Sequence, residues 1–281
     1  MAGIVWLASY PKSGNTWARA FLQSYLDPAG PVAINDLAIG NAAQHALFDQ
    51  FGALEVSDLT DDEVERLRPS LYRTMASGAG EPLFLKVHDA FGTTADGVPV
   101  FPPDATRAAI YIVRHPCDVA VSLAHHVGGS MSEAVAMLCR EASVLRERTG
   151  QCRQRLRSWS GHVTSWTDES PLAVHAVRYE DLLASPRREF SSMLSAAGLA
   201  IDQGQLVRAI EHSSFERLQA QERATGFTER SPKATAPFFR SGRSGGWRDY
   251  LTPDHVRRVV DAHGHVMQRF GYLTPAGEPA S

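Results

Sequence analysis

Four stretches of the sequence carry side chains suited to anion binding or proton transfer, and the first begins at Tyr10. It reads Tyr-Pro-Lys-Ser-Gly-Asn-Thr-Trp over residues 10–17, between an apolar run and an apolar, helix-compatible segment. A strand, a small-residue loop and a helix N-terminus together present backbone N–H groups and partial positive charge to one point. Lys12 adds a full charge, and Ser13 and Thr16 add hydroxyl donors. The stretch predicts a phosphate-binding loop; a plain strand–turn–helix with a surface lysine is the open alternative.

The second stretch is an apolar run over residues 82–89 that ends in Lys-Val-His-Asp. Alternation in an extended chain places Lys86 and His88 on the same face. At the end of a buried parallel strand, such residues point into the crevice where ligands bind. Histidine is the side chain best suited to take a proton near neutral pH, although a lone histidine here is more often structural.

The third stretch runs from an apolar segment at 108–113 into Arg114-His-Pro-Cys-Asp118, and a helix is predicted to follow with Ser122 in its second turn. Arginine suits phosphate because its planar fork can bind two oxygens at once. Arg114 and Ser122 are therefore candidates for one anion site. An Arg114–Asp118 surface pair, worth less than about 1 kcal/mol, is the alternative.

The fourth stretch, residues 240–248, contains three arginines and three glycines among nine residues. Its composition is that of an exposed anion-binding loop. A flexible linker is the alternative, but linkers seldom carry aromatic residues such as Phe238, Phe239 and Trp247 at their ends.

The elements that position these stretches follow the hydrophobic pattern. Strands are expected at 4–8, 82–89, 108–113 and 172–179, alternating with helices, which predicts an α/β fold with a central, mainly parallel sheet flanked by helices. Thr60 and Glu63 are expected to form a capping box at a helix start. Further helices are expected at 119–126, 131–149, 183–199, 205–212 and 253–270, with a basic-aromatic helix from 151. One domain should span 1–281, with a mobile loop or lid at 221–237 and a polar tail at 274–281.

Composition narrows the class of function. The chain has 281 residues and a net charge of −3, so it offers no global basic field for nucleic acid. Its three cysteines show no metal-ligand or disulfide spacing, which favours a reducing compartment. Neither a signal peptide nor a membrane-spanning segment is expected, so the cytoplasm is the predicted location.

Taken together, the four stretches resemble, in order, the motifs of the sulfotransferases that use 3′-phosphoadenosine-5′-phosphosulfate (PAPS). Residues 10–17 are similar to the family's 5′-phosphosulfate loop, and residues 85–88 to its Lys-Thr-His element with the catalytic base. Residues 111–122 resemble the segment whose arginine and serine bind the 3′-phosphate, and residues 240–248 the C-terminal Arg-Lys-Gly loop. The small size and the early first strand look most like the bacterial members that sulfate natural products such as glycopeptides.

The resemblance implies a P-loop-like α/β fold and a role for each matching residue. The 5′ end of PAPS would be bound by Lys12, Ser13, Gly14, Asn15, Thr16 and Trp17. The 3′-phosphate would be bound by Arg114, Ser122, Arg240, Ser241 and Gly242. The adenine side would be lined by Tyr179, Ser214 and Phe215.

Three departures from the family pattern affect these expectations. Ser241 stands where the family has a lysine, so that one phosphate-binding charge is missing, and Arg243 and Arg248 are both candidates to replace it. Gly246 stands where the family has an aspartate. The family's dimerisation motif is not kept at 248–253, so a homodimer, if formed, would use another surface.

The implied reaction is in-line sulfuryl transfer to a phenolic or aliphatic hydroxyl of a small molecule, without a metal. We expect His88 to be the base, Lys12 to stabilise the leaving phosphate, Lys86 to add charge at the sulfonate, and Ser122 to hold Lys12 until the acceptor binds. The acceptor pocket is expected from residues 32–80, 91–101, 125–131 and 221–238.

Two other functions fit parts of the sequence. An ATP-dependent small-molecule kinase would also use an anion cradle, but the loop is not a Walker A loop because its lysine precedes the glycine. A non-catalytic protein that binds the product nucleotide PAP would keep the cradle without needing His88.

Overall fold

The computed structural model describes residues 3–27, 30–52, 55–56, 58–145 and 150–280. Its centre is a four-stranded parallel sheet in the order β2-β1-β3-β6. These strands are β1 (Ile4–Ser9), β2 (Leu83–Val87), β3 (Thr106–Val113) and β6 (Val174–Arg178). In register, Ala8 of β1 lies between Val87 of β2 and Tyr111 of β3. The expected parallel sheet is therefore confirmed, and β1 lies inside it.

Helices cover both faces of the sheet because β1 is apolar on both. Trp6 packs in a cluster with Tyr72 and Phe101, whereas the alternate residue Leu7 packs in a separate cluster with Phe190. The helices are α1 (Asn15–Leu26), α2 (Asp61–Gly78), α3 (Pro116–Val127), α4 (Met131–Leu138), α5 (Trp159–Thr164), α6 (Tyr179–Ala184), α7 (Pro186–Ala196), α8 (Gln203–His212), α9 (Phe215–Thr225) and α10 (Pro253–Arg269). The capping box of Thr60 and Glu63 is present at the start of α2. No helix in the described ranges combines the length and apolarity needed to cross a membrane.

The helix expected over 131–149 is wrong beyond Leu138. After that residue the chain turns and forms β4 (Val144–Leu145), which pairs antiparallel with β5 (Gln154–Arg155). Residues 146–149 lie outside the described residues. The apolar stripe is continuous in the sequence, but its last described members pair in a strand, where Val144 is exposed and Leu145 half-buried.

The basic helix expected from residue 151 is also wrong over 151–157. Cys152, Gln154 and Leu156 are buried, while the intervening arginines are more exposed, which is the period of an extended chain. Arg153 and Arg155 contact Glu65 of α2 at 3.3 and 2.8 Å. These two basic residues therefore form ion pairs with an acidic residue of the same chain.

Two further boundaries differ from expectation. The helix expected over 183–199 is two helices, because Pro186 begins α7 and the residue before a proline disfavours helical geometry. The expected lid at 221–237 begins in a helix, since residues 221–225 belong to α9. The described part of the polar tail forms a turn, in which Thr274 N donates to Glu278 O at 2.7 Å.

Candidate active site

A cavity of about 460 Å³ lies where β1, β2 and β3 end. The parallel strands place their carboxyl ends at one edge of the sheet, so residues from distant parts of the chain meet there. Of the residues expected to act, the cavity is lined by Lys12, Gly14, Asn15, Thr16, Trp17, Lys86, His88, Arg114, Ser122, Tyr179, Phe215, Arg240, Ser241 and Gly242. Ser13 is buried beside it, and Ser214 is the N-cap of α9.

The loop between β1 and α1 has a left-handed backbone at two residues. Lys12 and Gly14 have φ angles of 70° and 104°, and a Cβ atom on Gly14 would lie 2.7 Å from the Tyr179 ring. Asn15 donates from Nδ2 to Leu7 O at 2.8 Å, which ties the loop to β1. The side-chain amide of Asn15 thus positions the loop, while the N-terminus of α1 faces the cavity.

Several buried polar atoms around this loop have no hydrogen-bond partner in the described residues. They are Ser13 Oγ, Asn15 Oδ1, Trp17 Nε1 and Arg114 Nε. Buried donors and acceptors are normally paired, so an unpaired one beside a cavity calls for an explanation, and a ligand that supplies the missing bond is one. The surroundings of the loop therefore fit a polar ligand with acceptor oxygens.

Arg114 joins the loop after β1 to the arginine-rich loop. Its Nη1 donates to Lys12 O at 3.0 Å and its Nη2 to Arg243 O at 3.3 Å. Its guanidinium carbon lies 4.3 Å from the centre of the Tyr179 ring. Asp118 accepts instead from the backbone N–H groups of Gly245 and Trp247, so the alternative Arg114–Asp118 pair is wrong.

The arginine-rich loop packs tightly against α9. Gly242 has a φ of 59°, and a Cβ atom there would lie 2.5 Å from the Phe215 ring. Arg243 pairs with Asp249 at 2.6 Å, and Arg248 lies over the Trp247 ring at 4.3 Å. Arg240 lines the cavity, whereas neither Arg243 nor Arg248 is among its described lining residues.

His88 is oriented by its backbone neighbours. Its Nδ1 lies 2.8 Å from the carbonyl oxygen of Ser9, an acceptor only, so Nδ1 carries the proton and Nε2 carries the lone pair. His162 donates from Nε2 to His88 O at 3.0 Å, which fixes the backbone of the same residue. Burial, followed by the charge of Lys86, holds the pKa of His88 well below its usual range. The imidazole is therefore neutral at physiological pH.

Glu229, which the sequence did not single out, lies beside Lys86. Its carboxylate contacts Arg19 Nη1 at 2.7 Å and Lys86 Nζ at 3.4 Å. Burial alone would raise the pKa of Glu229, but the charges of Lys86 and Arg19 outweigh it and lower the pKa to about 2. Arg19 is itself buried and donates from Nε to Ile39 O at 2.9 Å. The sequence carries no signal for this cluster, because Glu229 and Arg19 are 210 residues apart in the chain.

The rest of the cavity wall agrees with three of the four expected segments. Residues between 34 and 44, His126, and residues between 228 and 238 line it. The segment 91–101 does not; Phe91 and Val100 line a different cavity, with Arg68 and Asp89. Gln151, which was not expected, also lines the first cavity.

Within the described ranges, no three His, Cys, Asp or Glu side chains are grouped so that they could hold a metal ion. A reaction without a metal stays a prediction.

Comparison with known proteins places this arrangement in a family. The family described as "Sulfotransferase domain" matches residues 3–271. Mouse Sulfotransferase 1B1 is 25% identical over 260 residues, which cover 89% of this chain and 78% of the mouse protein. Cytosolic sulfotransferase 14 of Arabidopsis thaliana is 27% identical over 275 residues, covering 90% of this chain and 72% of the plant protein.

Solved structures share the fold. Mouse sulfotransferase SULT7A1 complexed with PAP superposes with a TM-score of 0.62 at 18% identity, covering 98% of this chain and 87% of that one. Retinol dehydratase in a complex with retinol and PAP gives a TM-score of 0.62 at 19% identity, covering 95% and 82%. The fold, the ordered motifs and the family match agree: the chain belongs to the sulfotransferase family.

Proposed function

We propose that this enzyme transfers the sulfuryl group of PAPS to a hydroxyl group of a small-molecule acceptor, with His88 as the general base. One observation carries the proposal. Nδ1 of His88 donates to Ser9 O, so the lone pair is on Nε2 of the same ring. His88 lines the cavity that also contains the loop after β1. A neutral imidazole with its lone pair at Nε2 is able to accept a proton from a hydroxyl.

The residues present fit PAPS. Unpartnered donors at Ser13, Trp17 and Arg114 surround the loop that follows β1. When bound, PAPS supplies the sulfuryl group and the leaving phosphate. Lys12, Ser13, Gly14, Asn15, Thr16 and Trp17 would hold its 5′ end; Arg114, Ser122, Arg240, Ser241 and Gly242 its 3′-phosphate; and Tyr179, Ser214 and Phe215 its adenine side.

The chain's own part in the reaction is to orient, to accept a proton and to balance charge. His88 Nε2 takes the proton of the acceptor hydroxyl as its oxygen attacks. Lys12 supplies positive charge where negative charge develops on the leaving phosphate. Lys86 supplies charge at the sulfonate, and Ser122 restrains Lys12 until the acceptor is bound.

The acceptor and the setting are proposed more broadly. The solved neighbours include retinol dehydratase bound to retinol and to androsterone, which are small hydroxyl-bearing molecules. We propose an acceptor of that size, a natural product in a bacterial host, and action in the cytoplasm, where the plant relatives are named as cytosolic. Nucleic acid and membrane are not proposed as partners, and a homodimer stays an open prediction.

Replacing His88 tests the proposal. We expect His88→Ala to lower kcat at least about a hundredfold with PAP affinity nearly unchanged, because the residue serves proton transfer and not nucleotide binding. Turnover is measured as PAP release with PAPS and a panel of phenols and alcohols, and PAP binding by calorimetry. The matched control is His265→Ala, an exposed histidine on α10, which should keep both values.

The same measurements address the alternatives. Tighter binding of ATP with Mg²⁺ than of PAP would favour a kinase. Tight PAP binding with no transfer to any member of the panel or to extracts of the native host would favour a non-catalytic PAP-binding protein. Near-normal turnover in His88→Ala would remove His88 from its role.

A further inference from the structure

One wall of the cavity is built from three neighbouring segments, β2 and the chain around residues 40–44 and 151–152. Lys86 N donates to Gly40 O at 2.9 Å and Ala42 N to Lys86 O at 2.9 Å, so the chain around Asn41 runs alongside β2. Cys152 N donates to Ala43 O at 2.7 Å, which places the next segment beside it. The side chains of this wall therefore lie beside Lys86 and His88, the residues expected at the acceptor.

This wall is polar. Asn41 and Gln151, both carboxamides, line the cavity together with Lys86 and His88. Asn41 is buried, and its Oδ1 accepts from Ala43 N at 3.0 Å, which fixes its orientation. Gln151 Oε1 is buried and has no hydrogen-bond partner in the described residues. A hydroxyl of a ligand in the cavity would supply the donor that this oxygen lacks.

A second polar element comes from the segment after α9. Thr228 and Glu229 line the cavity, and Thr228 N donates to Asn35 Oδ1 at 2.8 Å. The ion pairs with Arg19 and Lys86 hold the Glu229 carboxylate in place, and each carboxylate oxygen can accept more than one hydrogen bond. Glu229 is therefore a fixed acceptor close to the base.

These groups discriminate between acceptor chemistries. A wholly apolar acceptor would remove water from Glu229 and Gln151 without replacing the lost hydrogen bonds, which is unfavourable. A cationic acceptor would compete with Arg19 and Lys86 for the same carboxylate and would be repelled by both. A neutral hydroxyl donates a hydrogen bond without adding charge.

Building on the proposed function, we infer that the acceptor is a neutral polyhydroxylated molecule. A hydroxyl next to the one that reacts donates to Glu229, and a further donor reaches Gln151. Sites built to bind a hydroxyl discriminate strongly against analogues that lack it, because their own polar groups are then left unpaired. Glu229 and Gln151 are thus specificity-determining residues, distinct from the base.

Matched pairs of acceptors test this inference. Catechol against phenol, and a vicinal cyclohexanediol against cyclohexanol, differ by the single neighbouring hydroxyl. Calorimetry in the presence of saturating PAP measures acceptor binding without requiring turnover. We expect each diol to bind about tenfold more tightly than its mono-ol, which is the effect of one added hydrogen bond to a charged group.

Three variants locate the effect. In Glu229→Gln the preference for the diol over the mono-ol should fall to about twofold or less, whereas Glu216→Gln, an exposed carboxylate on α9, should keep it. In Gln151→Leu a third hydroxyl, tested as pyrogallol against catechol, should no longer tighten binding. Equal binding of diol and mono-ol to the unmodified enzyme overturns the inference, as does failure of every diol to bind up to its solubility limit. So does a diol preference that survives in Glu229→Gln. Absence of PAP binding would instead remove the proposed function.

Discussion

Buried neutral histidines should make this enzyme sensitive to mild acid. Burial is the main cause that lowers the pKa of His88 well below 6.5, of His115 to about 3, and of His162 and His263 to about 4. In the unfolded chain each would titrate near 6.5. Below that pH the unfolded state binds more protons than the folded state, so the free energy of unfolding falls as pH falls.

The size of the stability loss follows from the difference in histidine pKa between the folded and the unfolded state. Between pH 7.5 and 5.5, a histidine that stays neutral when folded and has a pKa of 6.5 when unfolded costs about 1.4 kcal/mol of stability. His88, His115, His162 and His263 together cost about 5 kcal/mol, which is comparable to the whole stability of many domains. Glu229 does not contribute in this window, because its pKa of about 2 moves its loss of stability below pH 4.5.

Urea unfolding at pH 7.5, 6.5 and 5.5, followed by circular dichroism, measures this change. Two histidines of α10 form a matched pair, since His263 is buried and His265 is exposed. In His263→Gln the difference between pH 7.5 and 5.5 should shrink by about 1.4 kcal/mol, whereas His265→Gln should keep it. A loss below about 2 kcal/mol in the unmodified enzyme, or an unchanged pH difference in His263→Gln, would refute the reasoning.

Two predictions concern the nucleotide loops. Gly14→Ala should weaken PAP binding at least about tenfold by calorimetry, because left-handed backbone costs an alanine about 1 kcal/mol and its Cβ would lie 2.7 Å from the Tyr179 ring; unchanged affinity would show that the loop tolerates a side chain. Asp118→Ala should lower both Tm and PAP affinity, since it leaves the N–H groups of Gly245 and Trp247 without the acceptor they contact at 2.8 and 3.0 Å; a normal Tm would mean that water replaces the carboxylate.

The sheet and the loop after β1 could be predicted because their signals are local. An apolar run of strand length stands directly before the Lys12 loop, and a second one ends in Lys86 and His88. The rule that ligand-binding loops meet at the carboxyl ends of parallel strands then predicts one shared crevice, whereas the strand order β2-β1-β3-β6 was not predicted. The structure brings these residues to one cavity, although the role of each stays a prediction.

What could not be predicted depends on contacts between distant residues. Asp118 reads as a surface partner for Arg114, yet it anchors the loop after Gly242 through backbone N–H groups more than 120 residues away. The extended course of residues 151–157 had a local signal, since Cys152, Gln154 and Leu156 alternate with arginines, but the basic composition suggested an exposed helix. Alternation was the better guide there.

Two residues of the segment after α9 contact the two lysines of the cavity. Phe238 lies 3.7 Å from Lys12 Nζ, measured to the ring centre, and Glu229 lies 3.4 Å from Lys86 Nζ. An anionic donor must therefore compete with an aromatic face at Lys12 and with a carboxylate at Lys86. A cation–π contact is worth about 0.5–2 kcal/mol, whereas breaking a buried ion pair costs about 3–5 kcal/mol. The contact of Lys86 with Glu229 is thus the more costly of these two to break.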